Sequence, residues 1–431
     1  MISWSKKSKK IPLIENFVNN GYKIQGFTSF KFIKQLLQNS MDIKCIDSDF
    51  DEYWDVNQHL NVTEQALRFL DENEKNTFFL FIHHSAPHAP YRFPKYLLNQ
   101  LKKDKEFAYY CDYFKSDKLL NAIFPQMNKV DLDILFQSDD EAKEKSSLIA
   151  KVTTGMINLE KNQANFINYL YKKEVEWTDI LFGKILDKLK ELNLFNNTII
   201  CFLSDHGELL FEQGKFGHAN DYMYNEVLKI PCIICSPTLN EKKTIEGNVS
   251  HVNIMPTLLE IVGLILDDRI KKRSLWLELS NKIEIATKPV YSEGNFRIAV
   301  IKDNIKYVTD TKRRSQIINL KNFIIDSLKL LPKLSNSIDE LKQNFTLFIV
   351  PYYKRLKGIS KEELYYFDPI NKIEKPVVKN ISALKKEMAD LINDYYNMEK
   401  LNLTEELSEE ELEIIKVRLE ALGYLEKKQK K

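Results

Sequence analysis

Residues 196–234 read NNTIICFLSDHGELLFEQGKFGHANDYMYNEVLKIPCII, and the fold turns on how this stretch is divided. Thr198 to Leu203 is an uncharged run rich in β-branched and apolar side chains, which suits a strand buried on both faces of a parallel sheet better than a helix. It stops at Ser204, Asp205, His206, Gly207 and Glu208. In open α/β sheets ligands bind beyond the carboxyl ends of the strands, so an Asp-His pair there is placed for metal or substrate chemistry. Lys215 and His218 follow, and Gly207, Gly214 and Gly217 supply three of the chain's twelve glycines, as a backbone bent closely around something requires. A second apolar run, Ile230 to Cys235, is the next strand. A lone Asp-His after a strand is as often a cap and a packed imidazole as a site. Five groups (Asp205, His206, Glu208, Lys215 and His218) within fourteen residues shift the balance to function, because carboxylate and imidazole ligate divalent metals and Lys fixes an anion.

Outward from this stretch, Leu13, Ile14, Phe17 and Val18 have helical spacing up to Asn20-Gly21, and Tyr22 to Phe27 then reads as a strand. Val62 to Leu70 forms an amphipathic helix leading into the strand Phe78 to Ile82. That strand delivers His83, His84 and His88, three of the seven histidines, with Pro87 and Pro90 stiffening the backbone around His88. His83 suits a packed position at the strand end; His88 suits a functional one. Residues 97–160 are charge-rich, with Asp139-Asp140-Glu141, and read as a surface insertion. Asn165 to Leu192 is a long amphipathic helix directing Phe166, Leu170, Val175, Leu181, Ile185 and Leu189 inward. From Lys288 the pattern changes to short strands, Val290-Tyr291, Arg297 to Ile301, Ile305 to Val308 and Leu364 to Phe367, interrupted by a helical insert at Gln316 to Leu356 and closed by a helix at Glu409 to Leu422.

Sixty-three basic against sixty-one acidic residues leave a net charge of +2, so no strong field argues for nucleic acid or an anionic membrane. The longest apolar runs are far below the roughly 18 residues that span a bilayer, and no secretion signal is seen. Five cysteines, three of them in apolar strand-like runs, give no disulfide framework. Cys232 and Cys235 have redox spacing, but an extended strand turns residues three apart to opposite faces.

The stretches SDHGE (204–208), GKFGH (214–218), YNEVLKIPCII (224–234) and VSHVNIMPTLLEIVGL (249–264) resemble, in order and spacing, the late half of bacterial sulfatases of the alkaline phosphatase superfamily. FFLFIHHSAPHAPY (78–91), the helix before the central strand, ELYYFDPINK (363–372) and RLEALGYLE (418–426) agree with it. The resemblance implies an α/β fold, an alkaline-phosphatase-like, mostly parallel sheet flanked by helices over 11–287, with a small C-terminal antiparallel α+β subdomain over 288–431. It implies Asp205 and His206 as metal ligands and His88, Lys215 and His218 as catalytic groups. His251 matches a position without a catalytic role. The implied cofactor is a divalent metal ion, calcium first, with magnesium, manganese or zinc as alternatives. The implied partner is a small anionic ester substrate, with no nucleic acid and no membrane segment.

The family's nucleophile, a Cys or Ser in C/S-x-P-x-R, or a Thr, follows a first strand ending in acidic metal ligands. None of the five cysteines is followed by x-Pro-x-Arg, and no such strand precedes residue 11, so the chain is expected to begin in mid-fold. Two other functions stay open: transfer by phosphoethanolamine or phosphoglycerol transferases, which share the SDHGE to GH spacing, and an inactive truncated relic.

Overall fold

The computed structural model describes residues 12–29, 33, 34, 37, 41–45, 58–127, 149, 152, 153, 157–218, 222–239, 241, 242, 244, 245, 247–264, 268–280, 288–294, 297–311, 362–368, 373–377 and 381–400. The expected segments Asp139 to Glu141, Gln316 to Leu356 and Glu409 to Leu422 lie outside them. The chain divides into two compact units, one built from 6–198 with 210–216, the other from 1–5, 199–209 and 217–431.

The first unit opens with helix α1 (Pro12–Asn19), strand β1 (Lys23–Thr28), strand β2 (Ile43–Cys45), helix α2 (Gln58–Glu72) and strand β3 (Phe78–His83). The strands form a parallel sheet in the order β2-β1-β3. Ile14 and Phe17 bury one face of α1, and Phe17 stacks on Phe79 with ring centroids 4.9 Å apart. On α2 the buried residues Val62, Ala66 and Leu70 recur every four positions, which makes a stripe that packs against sheet and helix.

Three short helices follow: α3 (Lys95–Leu101), α4 (Lys105–Tyr113) and α5 (Lys118–Ile123). Asp104 caps α4 by accepting from the Glu106 and Phe107 amides, and Asp117 caps α5 through Leu119 and Leu120. This region was expected to be a surface insertion, and that expectation fails. Leu98, Phe107, Tyr110, Phe114, Leu120 and Phe124 are buried in one cluster with Phe166 and Leu170. The aromatic residues recur at three- and four-residue spacing, so one face of each helix is apolar although the composition is charged.

The long helix α6 (Lys161–Glu191) buries Phe166, Leu170, Glu174, Trp177, Leu181, Ile185 and Leu189. Val175, assigned above to that stripe, is 44% exposed. Steps of three and four residues from Leu170 to Leu181 pass through Glu174 and Trp177, and a carboxylate there hid the true register. Glu174 accepts a hydrogen bond from the Arg92 backbone amide, while its Oε2 has no hydrogen-bond partner among the described residues. Burial pushes its carboxyl from 4.5 up to about 8 against the opposing pull of Arg92.

A carboxyl raised on folding keeps a proton that the unfolded chain releases. The contribution of Glu174 to stability is therefore fully present below about pH 4.5 and is lost as pH rises through about 8, with a limiting slope of about 1.4 kcal/mol per pH unit. Glu174→Gln is expected to flatten that slope, measured as urea midpoints between pH 5 and 8. An unchanged slope would show that Glu174 is ionised in the folded protein.

In the second unit, strand β4 (Ile200–Leu203) pairs with β7 (Cys232–Cys235) in antiparallel register, Ile200 opposite Cys235 and Leu203 opposite Cys232; the two-residue strands β5 (Leu209–Leu210) and β6 (Phe216–Gly217) fall between them in sequence. The expectation of a strand buried on both faces of a parallel sheet is thus corrected for this element. Its apolar composition carries no information about strand direction, and the chain between 204 and 231 doubles back. Ile233 on the paired strand is 62% exposed.

Beyond 288 the five strands β8 (Val290–Glu293), β9 (Arg297–Lys302), β10 (Ile305–Asp310), β11 (Glu362–Asp368) and β12 (Ile373–Pro376) form an antiparallel sheet in the order β12-β11-β10-β9-β8. Helix Ile381–Lys400 packs on it through Met388 and Ile392, against Ile298, Val300 and Tyr307. No helix among the described residues is long and apolar enough to cross a membrane.

Candidate functional site

Strand β4 ends at Leu203, and the next five residues carry the chemistry. The Asp205 carboxylate accepts a hydrogen bond from the His206 amide at 3.0 Å, and its other oxygen lies 3.6 Å from His206 Nε2. The two side chains therefore present an oxygen and a nitrogen donor side by side. Asp205 is open to solvent, with 76% of its side chain exposed. His206 Nδ1 sits 2.9 Å from the Gly207 carbonyl oxygen, an acceptor. That contact places the proton on Nδ1 and keeps Nε2 available as the ligating nitrogen.

Gly207 holds this turn against the segment after it. Its amide donates to the Val227 carbonyl at 2.8 Å, and a Cβ at this position would lie 2.0 Å from the Glu226 carbonyl oxygen. Val227 and Glu226 belong to a short helix, Asn225–Leu228, whose Val227 packs with Leu209 and Tyr222. The Asp-His pair is thus seated on backbone rather than on a mobile side chain.

His218 closes the group. Its ring stacks on His206 with centroids 4.0 Å apart and 24° between planes. Its Nδ1 is 3.1 and 3.2 Å from the two Glu208 oxygens. Burial disfavours the imidazolium, but the hydrogen bond and charge of Glu208, with Asp205 adding to them, outweigh it and raise the His218 pKa above its ordinary value. Glu208 stood in the sequence motif without a role of its own. Its partner lies ten residues away across two glycines, a pairing no periodicity predicts.

His251, set aside above, lies with Nε2 3.0 Å from the Ser204 carbonyl oxygen, beside the Asp-His turn. The cue available in sequence was the Ser250 to Asn253 capping box, which fixes the start of the segment carrying His251.

His88 and Lys215 belong to the other compact unit. His88 is exposed between two cis X-Pro bonds, and its Nδ1 contacts the Ala89 carbonyl oxygen. The chain just after it is pinned: Arg92 N–H to Glu174, and Phe93 to Gln126 through a reciprocal pair of hydrogen bonds, each 2.8 Å. Lys215 precedes Phe216, which stacks on Phe211 with centroids 5.6 Å apart, and its carbonyl accepts from the Phe211 amide. His83 meets the Thr28 hydroxyl at 2.9 Å, the packed strand-end position expected for it.

Asp205 and His206 thus bring one carboxylate oxygen and one imidazole nitrogen within 3.6 Å of each other. Among the described residues, no group of three or more His, Cys, Asp or Glu side chains could hold a metal alone.

A family model described as Sulfatase matches residues 13–264. Among curated proteins, arylsulfatase K of Canis lupus familiaris is 33% identical over 123 residues, 28% of this chain and 22% of that protein. A sulfatase of Formosa agariphila is 26% identical over 310 residues, 68% of this chain and 56% of that protein. These matches span less than two thirds of either relative. Among solved structures, BT4656 in complex with its substrate D-glucosamine-2-N,6-O-disulfate superposes with a TM-score of 0.58 at 16% identity, covering 90% of this chain and 82% of that one. The shared fold is the alkaline-phosphatase-like α/β architecture, with a parallel sheet flanked by helices and an antiparallel sheet in the C-terminal region.

Proposed function

The chain belongs to the sulfatase family, and on that premise we propose that its site serves the hydrolysis of sulfate esters of small anionic substrates. The observation that supports this most is the side-by-side placement of Asp205 and His206 under the ring of His218. Sulfatases use a divalent metal; here Asp205 and His206 would be two of its ligands. A bound cation supplies charge to polarise the ester oxyanion.

The chain's own residues divide the remaining work. Lys215 and His88, in the other unit, are a fixed positive charge and an exposed imidazole, residue types suited to an anionic ester. His218 exchanges a proton with the leaving group, a task suited to an imidazole whose pKa is raised by a buried carboxylate. The covalent step of the family needs a nucleophile, and none of the five cysteines here stands in C-x-P-x-R.

The test is an assay of aryl sulfate and aryl phosphate esters with calcium, magnesium, manganese or zinc, using the chain and its Asp205→Ala variant. Expected is at most slow turnover, since none of the five cysteines stands in C-x-P-x-R, with sulfate esters preferred over phosphate esters and the turnover lost in Asp205→Ala. Chelation should abolish that turnover and calcium should restore it. Preference for phosphate, or turnover indifferent to chelator, would overturn the proposal.

A further inference from the structure

Two constraints act on the His218 ring, and together they leave it one orientation. Stacking on His206 at 4.0 Å fixes the plane of the ring. Within that plane, contact with both Glu208 oxygens at 3.1 and 3.2 Å fixes which edge faces which way. Glu208 is itself immobilised, since only 7% of its side chain is exposed and it follows Gly207, whose amide is bonded to Val227. Both carboxyl oxygens face Nδ1, so Nδ1 is the ring nitrogen placed to donate and Glu208 the group placed to accept.

We propose that Glu208 is a positioning residue that holds His218 as the Nδ1–H tautomer and directs Nε2 to the ester. The proposal rests on the assignment of His218 as the group that exchanges a proton with substrate. It adds that the exchanging nitrogen is Nε2 and that the residue selecting it is the last of the SDHGE motif. A carboxylate behind an imidazole in this way sets both tautomer and direction, as outer partners of ligating histidines do.

Glu208→Gln and Glu208→Ala separate orientation from mere packing. The Gln amide oxygen still accepts from Nδ1, whereas Ala removes the acceptor. In protein labelled with 15N-histidine, the long-range imidazole spectrum reports which nitrogen is protonated, and His218→Asn identifies the signal. Expected are a protonated Nδ1 on His218 in the parent chain and in Glu208→Gln, and its loss in Glu208→Ala. A parent spectrum with the proton on Nε2 alone, or an Ala variant with an unchanged signal, overturns the proposal. If Glu208→Ala fails to fold, the parent and Gln spectra still decide the tautomer.

In the ester assay, Glu208→Ala should lower kcat about 10- to 100-fold with KM within about 2-fold, and Glu208→Gln should recover most of the loss. Absence of sulfate-ester turnover in every form, with the spectral pattern as expected, would count against the sulfate-ester proposal while supporting the Glu208 assignment.

Discussion

Gly207→Ala is expected to cost about 3 kcal/mol of stability and to remove metal-dependent behaviour with it. The added methyl would stand 2.0 Å from the Glu226 carbonyl oxygen, 3.0 Å from its carbon and 3.4 Å from the Lys229 oxygen. All three are backbone atoms, so no rotamer change relieves the overlap, and the 206–208 turn must lift off the Asn225–Leu228 helix. Lifting it breaks the Gly207 to Val227 hydrogen bond and separates Asp205 and His206 from the support that sets their spacing.

Two companions make the result diagnostic. Asp205→Ala should also abolish response to metal, yet leave the denaturant midpoint nearly unchanged, because its side chain is mostly in water. Gly214→Ala meets nothing within 4 Å, but its φ of +62° is left-handed, so it should cost only about 1–2 kcal/mol. Gly207→Ala no more destabilised than Gly214→Ala would mean that the turn has freedom the geometry denies it.

The sequence was most informative where period and function coincide. The helix, Gly stop and strand from 12 to 28, the Val62, Ala66 and Leu70 stripe and the strand ending at His83 stand where their spacing places them. Side-chain period is a local property, and local order alone recovers it. Asp205 and His206 were legible because adjacent residues at a strand end meet each other whatever the rest of the chain does.

Direction and partnership were not legible. The run Thr198 to Leu203 looks the same whether its neighbour runs parallel or antiparallel, and the pairing with Cys232–Cys235 is set by how the intervening turn returns. Residues 95–124 were misjudged because charges on the outer faces dominate the composition while Phe107, Tyr110, Phe114 and Phe124 form a core. Glu174 broke an apolar stripe by being a carboxyl that burial favours in its neutral form. Glu208 was counted in the motif but given no role of its own, because its pairing with His218 is a contact that only folding creates.

Lys306→Met is expected to destabilise the protein by about 3–5 kcal/mol. Lys306 lies on β10 with 3% of its side chain exposed, and its ammonium donates to the Met223 carbonyl and to Asn225 Oδ1 at 3.1 Å. It also meets Glu374 Oε1 at 2.5 Å, where the Glu374 side chain is 6% exposed. Burial lowers the Lys306 pKa and raises that of Glu374, with their mutual attraction opposing each shift. Removing the lysine strands a buried carboxylate and two acceptors, and an uncompensated buried charge costs more than the pair contributes.

Pairing Lys306→Met with Glu374→Leu should recover much of the global stability, since an apolar pair fills the same space without a desolvation penalty. It cannot restore the tie from β10 to residues 223–225, which lead into the helix whose Val227 carbonyl receives the Gly207 amide. Amide exchange at Gly207 should therefore stay faster than in the parent even when the denaturant midpoint has returned. A Lys306→Met loss below about 1 kcal/mol would make the ion pair incidental. Gly207 exchange at the parent rate in the double variant would show that the site turn is held without help from the C-terminal sheet.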